Sequence, residues 1–167
     1  MLTFKRFGFL PVLLIPVMLF SCTRNISPGT GNEPKTTTGF NAAEMEKDIL
    51  SYVNAYRKKK GLGMLSSLTI ADQQAALHSK NMALKKTAFS HNGFEQRIAV
   101  VSKQEGNMRA AAENVAYGQL SAKEVVDGWI NSPGHRKNIE GNYTLTGIGV
   151  YRDSKGVVFF TQLFMRR

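Results

Sequence analysis

The stretch TGIGVYRDSKGVVFFTQLF, residues 146–164, decides the fold. It contains two runs rich in β-branched and aromatic residues, joined by the turn sequence DSKG at 153–156, and it therefore predicts a β-hairpin. The second run, residues 157–164, is apolar at both alternating sets of positions except at Thr161 and Gln162. A strand that is apolar on both faces is usually covered on both sides. The hairpin is therefore expected to lie in the central layer of a sandwich.

Three helices are predicted ahead of the hairpin. The first begins at Asn41, where Glu44 completes a capping box, and ends before Gly61. Its apolar stripe at helical spacing consists of Met45, Ile49, Tyr52, Val53 and Tyr56. The second begins near Thr69, where Asp72 completes another capping box. His78 lies on its apolar face, and we interpret this histidine as a structural core residue with one hydrogen-bond partner.

A third helix is predicted to open at Ser121, with Glu124 completing its capping box, and to end before Pro133. Its inward face is expected to consist of Val125, Val126, Trp129 and Ile130. Helices come first and strands last, and the helices suffice to cover two faces of a sheet. The predicted fold is therefore α+β, a three-layer α-β-α sandwich with a central antiparallel sheet.

Residues 1–21 have the pattern of a secretory signal. Lys5 and Arg6 precede an apolar run from 7 to 20, which is shorter than the ~20 residues that a membrane-spanning helix needs. The run ends in Leu-Phe-Ser before Cys22, and this boundary resembles the lipobox of bacterial lipoproteins. The resemblance implies cleavage before Cys22 and lipid attachment to it, so that the mature chain would be anchored to a membrane.

The remaining sequence predicts a tether and one domain. Residues 22–40 are rich in Thr, Gly, Pro and Asn and predict a flexible tether, whereas residues 41–167 suffice for one ordinary globular domain. Cys22 is the only cysteine. Lipid attachment would therefore leave no thiol for a disulfide, a zinc-thiolate site or a cysteine nucleophile.

The chain is basic, with a formal net charge of +10 at pH 7, and its densest basic patch is RKKKG at 57–61. This patch would attract anionic lipid or an anionic polymer such as cell-wall material. The alternative is a solvated helix end whose cations face the negative end of the helix dipole. Aromatic residues are not interleaved with these charges, and an export signal argues against a nucleic-acid partner.

A histidine follows the third helix in the stretch SPGHRKNI, residues 132–139. Proline cannot continue a helix and glycine tolerates turn geometries. Pro133 and Gly134 therefore predict a turn, and His135 follows directly after it. The residue types alone leave open whether this imidazole is functional or is only the polar side of a turn.

Six motifs occur in order along the chain: VNAYRKKKGLGML (53–65), HSKNMA (78–83), FSHNGF (89–94), AENVAYG (112–118), WINSPGHRKNI (129–139) and the hairpin (146–164). Together they resemble the CAP superfamily, also called SCP domains, and especially its short bacterial branch without cysteines. The resemblance covers residues 44–165. Family members include lipid and sterol binders, so the resemblance also implies that a hydrophobic ligand is compatible with the fold.

The resemblance implies a cleft in which His91, Glu113 and His135 converge. The residues expected to brace this cleft, from the same motifs, are Asn114, Arg136 and Asn138, and we expect Asn114 and Asn138 to contribute to ligand binding. Family members commonly have a second cleft glutamate just after the tryptophan-containing helix. Residues 129–132 of this chain, Trp-Ile-Asn-Ser, carry no carboxylate.

Two imidazoles and one carboxylate are the ligand types of His₂Glu zinc sites. His91, His135 and Glu113 therefore predict a site for zinc or another divalent metal, held weakly because the second carboxylate is missing and no thiolate is available. Without metal, the same three groups are candidate catalytic residues for general acid and base chemistry. They are equally compatible with a hydrogen-bonded cluster that holds loops together.

Signatures of standard hydrolases are missing from the sequence. It contains neither H-E-x-x-H nor G-x-S-x-G, and Ser90 and Ser132 are interpreted as ordinary polar residues. The expected function is a lipid-anchored binding protein of the bacterial cell envelope, on its periplasmic or extracellular face, whose cleft holds a metal ion, a lipid or a cell-wall fragment. The alternatives are a metal-dependent hydrolase of envelope peptide or polysaccharide, and a structural or partner-binding envelope protein.

Overall fold

A computed structural model describes residues 39–167, so the predicted signal, Cys22 and nearly all of the predicted tether lie outside the described residues. Within that range the elements, in chain order, are α1 (Ala42–Lys59), β1 (Ser66–Ser67), α2 (Thr69–Ala83), α3 (Phe94–Glu105), β2 (Ala110–Gly118), α4 (Ala122–Asn131), α5 (Pro133–Ile139), β3 (Leu145–Arg152) and β4 (Val158–Arg166). None of these helices is both long enough and apolar enough to cross a membrane.

The four strands form one sheet in the order β1-β3-β4-β2. The predicted hairpin is β3 and β4, and β4 pairs antiparallel with β3 on one side and with β2 on the other. The two-residue strand β1 joins β3 in parallel. The central antiparallel sheet is thus confirmed, and β2 is an outer strand of it.

The two faces of β4 contact different helices because successive side chains of a strand point to opposite faces. Phe160 and Phe164 are buried in one core with residues of α1, α4 and α5. Leu163 and Met165 are buried in a second core with residues of α2 and α3. Helices therefore cover both faces of the sheet, which confirms the three-layer α-β-α sandwich.

Helix α2 lies directly on β3 because two residues of β3 have no side chain. A Cβ atom at Gly149 would lie 1.9 Å from the backbone nitrogen of Ala76, and one at Gly147 would lie 2.3 Å from the carbonyl carbon of Ala71. Real Cβ atoms do not approach other atoms so closely, so both positions require glycine. The TGIG sequence thus sets the distance between α2 and the sheet. Because the loop that carries His91 begins at the end of α2, the position where this loop begins is set as well.

All three predicted helix starts are confirmed, and two of them have the predicted side-chain cap. Ser121 and Glu124 form the predicted capping box at α4, and the Asn41 side chain accepts a hydrogen bond from the backbone of the first turn of α1. The capping box predicted at α2 is wrong. The carboxylate of Asp72 accepts instead from the backbone N–H of Ile148 on β3, at 2.8 Å.

The basic patch at the end of α1 is only partly the solvated helix end that its charges indicate. The three lysines at 58–60 are exposed, but Arg57 is only 2% exposed. Its guanidinium donates hydrogen bonds of 2.6–3.0 Å to the backbone carbonyls of Gly63, Ile139, Gly141 and Tyr143. Arg57 therefore joins the loop after α1 to the segment after α5.

Candidate functional site

The candidate residues gather around β2. Side chains alternate along a strand, so Glu113 faces the side covered by α2 and α3, opposite Leu163 of β4, while Asn114 faces the other side, opposite Gln162. Glu113 is 7% exposed and Asn114 is fully buried. Adjacent residues of one outer strand therefore connect both helical layers at the edge of the sheet.

Glu113 forms a bidentate ion pair with Arg97 of α3. Arg97 Nε lies 2.9 Å from Oε2 of Glu113, and Arg97 Nη2 lies 2.8 Å from Oε1 and 2.6 Å from Oε2. The two side chains are only 9% and 2% exposed. In such a pair, each charge compensates the other, and removal of one partner leaves a buried charge alone. Arg97 also donates to the backbone carbonyl of Asn92 at 2.9 Å, which fixes the loop next to His91.

His91 is the exposed member of this cluster. Its Nδ1 atom lies 2.9 Å from Oε1 of Glu113, and its side chain is 55% exposed. A carboxylate held by a guanidinium accepts hydrogen bonds, so Nδ1 of His91 is the donor and carries a proton. The Nε2 atom has no hydrogen-bond partner within residues 39–167. The cluster thus holds an imidazole in one orientation and leaves its second nitrogen available to a ligand.

His78 holds the same loop from α2. It is 4% exposed, and its Nε2 atom lies 2.9 Å from the backbone carbonyl oxygen of Ser90, which can only accept. Burial lowers the pKa of His78, and the positive charge of Arg97 acts in the same direction, so the neutral ring is favoured. The prediction that His78 is a core residue with one hydrogen-bond partner is confirmed.

His135 lies in a short helix rather than at an isolated turn. Pro133 is the first residue of α5, a position where the missing N–H of proline is tolerated. The side chain of Asn114 donates to the backbone carbonyl of His135 at 3.1 Å. Asn138 donates to the backbone carbonyl of Glu113 at 3.1 Å and to the side-chain oxygen of Asn114 at 2.8 Å. These bonds fasten α5 to the outer strand.

The imidazole of His135 is partly buried beside the cluster. Its pKa is lowered, first by burial and then by the positive charge of neighbouring His91. Within the described part of the chain its ring makes no hydrogen bond to His91 or Glu113. The structure therefore brings His91 and Glu113 into direct contact and places His135 near them with no hydrogen bond from its ring to either residue.

Arg136, the third predicted bracing residue, contacts a helix rather than β2. Its Nη1 atom donates to the backbone carbonyl of Ile130 at 3.1 Å, so it joins α5 to the end of α4. The hydroxyl of Ser90, in turn, bonds only within its loop: it donates to the carbonyl of Ala88 at 3.3 Å and accepts from the N–H of Asn92 at 3.2 Å. Ser90 is thus an ordinary polar loop residue.

An aromatic cluster, Phe89, Tyr117 and Phe159, continues the surface along β2. Tyr117 lies on the same face of β2 as Glu113 and four residues further on, about 13 Å away. Its ring stacks on Phe159 with centroids 5.7 Å apart and meets Phe89 edge-on at 4.7 Å. Tyr117 and Phe89 are 57% and 46% exposed. Since Phe89 precedes His91 by two residues, an exposed apolar surface adjoins the exposed imidazole.

The predicted His₂Glu ligand set does not fit a divalent cation in this arrangement. A carboxylate offers about four lone-pair sites, and Glu113 accepts three hydrogen bonds from Arg97 and one from His91. No group of three or more His, Cys, Asp or Glu side chains within residues 39–167 is placed to hold a metal ion. The weakly held metal stays a prediction, and such an ion would have to compete with Arg97 for Glu113.

Sequence reasoning missed Arg97. Helix α3 starts after Gly93, which has a φ of 79° and offers no side-chain cap, so the usual signal of a helix start is missing. Arg97 and Val101 lie one turn apart and are both buried. An arginine in helical phase with an apolar residue is the signal that would have pointed to an inward guanidinium.

Comparison with known proteins gives the family. Residues 50–164 match the model of the CAP family, described as the cysteine-rich secretory protein family. Over 148 residues the chain is 32% identical to the uncharacterized protein YkwD of Bacillus subtilis (strain 168). This match covers 86% of the chain and 56% of the relative, so the chain spans little more than half the length of that protein.

Solved structures give the same fold. An extracellular protein containing a SCP domain from Bacillus anthracis superposes with a TM-score of 0.65 at 28% identity, over 75% of this chain and 41% of that chain. An outer surface protein from Borrelia burgdorferi superposes with a TM-score of 0.67 at 22% identity, over 77% of this chain and 96% of that chain. At that identity the second likeness concerns the fold alone. The predicted family resemblance and fold class are both confirmed.

Proposed function

The chain belongs to the CAP family of cysteine-rich secretory proteins, and from that premise we propose that it is a binding protein of the cell envelope. Its site is the cleft at the outer strand β2, and its ligand is a cell-wall fragment that carries sugar rings and polar groups. The observation that carries the proposal is the 55% exposed imidazole of His91, held in one orientation by a buried carboxylate that Arg97 neutralises.

The composition of the surface supports this class of ligand. Binding sites combine apolar and aromatic walls with a few fixed polar groups, and here the aromatic cluster lies beside the fixed Nε2 atom of His91. Sugar rings present C–H faces that pack on aromatic rings and hydroxyl groups that bond to imidazole nitrogens. Next to α5, a groove of about 520 Å³ is lined by Arg136 and Lys137 together with Glu140. Two cations and one carboxylate favour anionic groups in the ligand.

The proposed location is outside the cytoplasm, on the cell envelope. The pattern of residues 1–22 supports export and attachment through a lipid on Cys22. The two structural relatives are described as extracellular and as an outer surface protein. Removal of residues 1–21 takes away Lys5 and Arg6 and no acidic residue, so the formal net charge falls from +10 to +8 and still favours association with anionic envelope polymers.

Cosedimentation with purified, insoluble peptidoglycan tests the proposal. We expect the wild-type protein to sediment in a saturable manner. We expect His91→Ala and Tyr117→Ala each to weaken binding roughly 5- to 30-fold, because loss of one well-placed contact is worth about 1–2 kcal/mol. Tyr52→Ala is the matched control, since Tyr52 is an exposed tyrosine of α1 at 41% exposure, and it should bind like wild type. Failure of the wild type to sediment, or equal binding by all three variants, would refute the proposal.

A hydrolase of the same polymers is the second candidate, and one observation favours it. A carboxylate that holds Nδ1 of a histidine leaves Nε2 as a base able to take a proton from water. The same sedimentation samples distinguish the two functions. A hydrolase releases soluble fragments over time in a manner lost in His91→Ala, whereas a binding protein leaves the polymer intact.

A further inference from the structure

We propose that Arg97 determines which class of ligand the cleft rejects. Its guanidinium takes the place of a bound cation: it neutralises Glu113 and thereby keeps divalent metals from binding at His91. Removal of the guanidinium should create a divalent-metal site from residues that are already in place. This inference is independent of the cell-wall ligand, because it concerns which class of ligand the cleft rejects.

The hydrogen-bonding capacity of the Glu113 carboxylate is already used. Its two oxygens accept four hydrogen bonds, three from Arg97 at 2.6–2.9 Å and one from His91 at 2.9 Å. These bonds use about all of the lone-pair sites that a carboxylate has. A metal ion could therefore reach the carboxylate only by displacing Arg97, which Asn92 also holds through its backbone carbonyl at 2.9 Å.

The positive charge of Arg97 also opposes metal binding. The guanidinium is positively charged at every pH at which proteins fold, and the ion pair is shielded from solvent, with side-chain exposures of 9% and 2%. Metal sites commonly use a carboxylate either as a ligand or as the hydrogen-bond partner that increases the basicity of a ligating histidine. Arg97 weakens Glu113 in both roles. The remaining candidate metal ligands are then the two imidazoles of His91 and His135, with no carboxylate free to support them.

The experiment is a zinc titration by calorimetry at about pH 7.5, where ordinary histidines are mostly neutral. We compare wild type with Arg97→Gln, in which an amide can still donate to Glu113 but carries no charge. We expect the variant to bind zinc at least ~10-fold more tightly than wild type, the scale at which partners of metal-ligating histidines alter affinity. With Co²⁺ in place of zinc, the variant should also show the visible absorption of a protein-bound ion.

Stability provides a second readout in case Arg97→Gln is poorly folded without metal. An ion that binds only to the folded state of a protein raises the melting temperature of that protein. Added zinc should therefore raise the melting temperature of Arg97→Gln and leave that of wild type nearly unchanged. Arg97→Lys retains the charge and should restore exclusion of the metal. Arg167→Gln is the matched control, because Arg167 pairs with Glu105 at an exposed site and its loss should create no metal site.

The double variant Arg97→Gln/Glu113→Gln tests whether the released carboxylate is responsible. It should lose the zinc affinity that Arg97→Gln gains. The proposal is overturned if Arg97→Gln binds zinc no better than wild type, if Arg97→Lys gains as much as Arg97→Gln, or if the double variant keeps the gain.

Discussion

Trp129→Ala is expected to lower the free energy of unfolding by about 3–5 kcal/mol, enough to unfold many small domains. Trp129 is 1% exposed and belongs to the core in which α1 and α4 pack on the sheet, together with Val53 and Phe160. Alanine would leave a cavity with nearly the volume of an indole ring in this core. The cavity could close only if α1 and α4 moved. Urea denaturation of the two proteins measures the difference.

Two further variants separate packing from other effects at this position. The indole N–H of Trp129 is buried and has no hydrogen-bond partner within the described residues. Phenylalanine removes this uncompensated donor and keeps most of the ring, so Trp129→Phe should cost far less than Trp129→Ala. Tyr52→Ala, at an exposed aromatic residue of α1, should change stability by no more than ~0.5 kcal/mol. Wild-type stability in Trp129→Ala would contradict the assignment of Trp129 to the core.

Arg57→Met is expected to destabilise the fold by a comparable amount, about 3–5 kcal/mol. Methionine fills the space of the side-chain stem but donates no hydrogen bond, so the four carbonyls that Arg57 serves would lose their donor. Each buried acceptor left unpaired costs roughly 1–3 kcal/mol, and those nearest solvent recover part of this by binding water.

The neighbouring lysine provides the matched control. Lys58 is exposed, so Lys58→Met removes the same kind of charge one residue away without leaving a buried acceptor. Arg57→Lys should be intermediate, because one ammonium group reaches fewer carbonyls than a guanidinium does. If Arg57→Met and Lys58→Met unfold at the same urea concentration, Arg57 does not join the loops in the way described.

Signals that act over a few residues were sufficient for much of the fold. The turn residues at 153–156 predicted the β3–β4 hairpin, and the Ser121–Glu124 pair predicted the start of α4. Both are local hydrogen-bond or backbone preferences that need no knowledge of the rest of the chain. Asp72 shows their limit, because a nearby helix start and a distant backbone N–H compete for one carboxylate, and the distant group of Ile148 is the one bonded.

Elements without local signals were not predicted. Strand β2 has the sequence AAAENVAYG, and alanine, glutamate, asparagine and glycine have low β-propensity. It is a strand because β4 supplies a full set of backbone partners along its length. Helix α3 opens after a glycine with no capping side chain. In both segments, tertiary pairing rather than local preference decides the structure.

The approach of two candidate side chains was predicted, but the chemistry of their contact was not. The motifs brought His91, Glu113 and His135 to one region; in the structure His91 is hydrogen-bonded to Glu113, and the backbone of His135 is bonded to Asn114 of β2. What the sequence could not give is the partner of Glu113. Arg97 is close in sequence, but whether an arginine is exposed or paired with a buried carboxylate depends on the packing of the helix that carries it. That one contact changes a candidate metal ligand into a group that positions an imidazole.

The central claim is that Glu113, neutralised by Arg97, holds His91 with Nδ1 protonated and leaves Nε2 without a hydrogen-bond partner among the described residues. The direct test is the ring-nitrogen NMR spectrum of ¹⁵N-labelled protein at about pH 8, above the ordinary pKa of histidine. The account predicts the Nδ1–H tautomer for His91 and, as an internal reference, the Nε2–H tautomer for His78, which donates to the Ser90 carbonyl. A His91 ring with Nε2 protonated and Nδ1 bare would contradict the account.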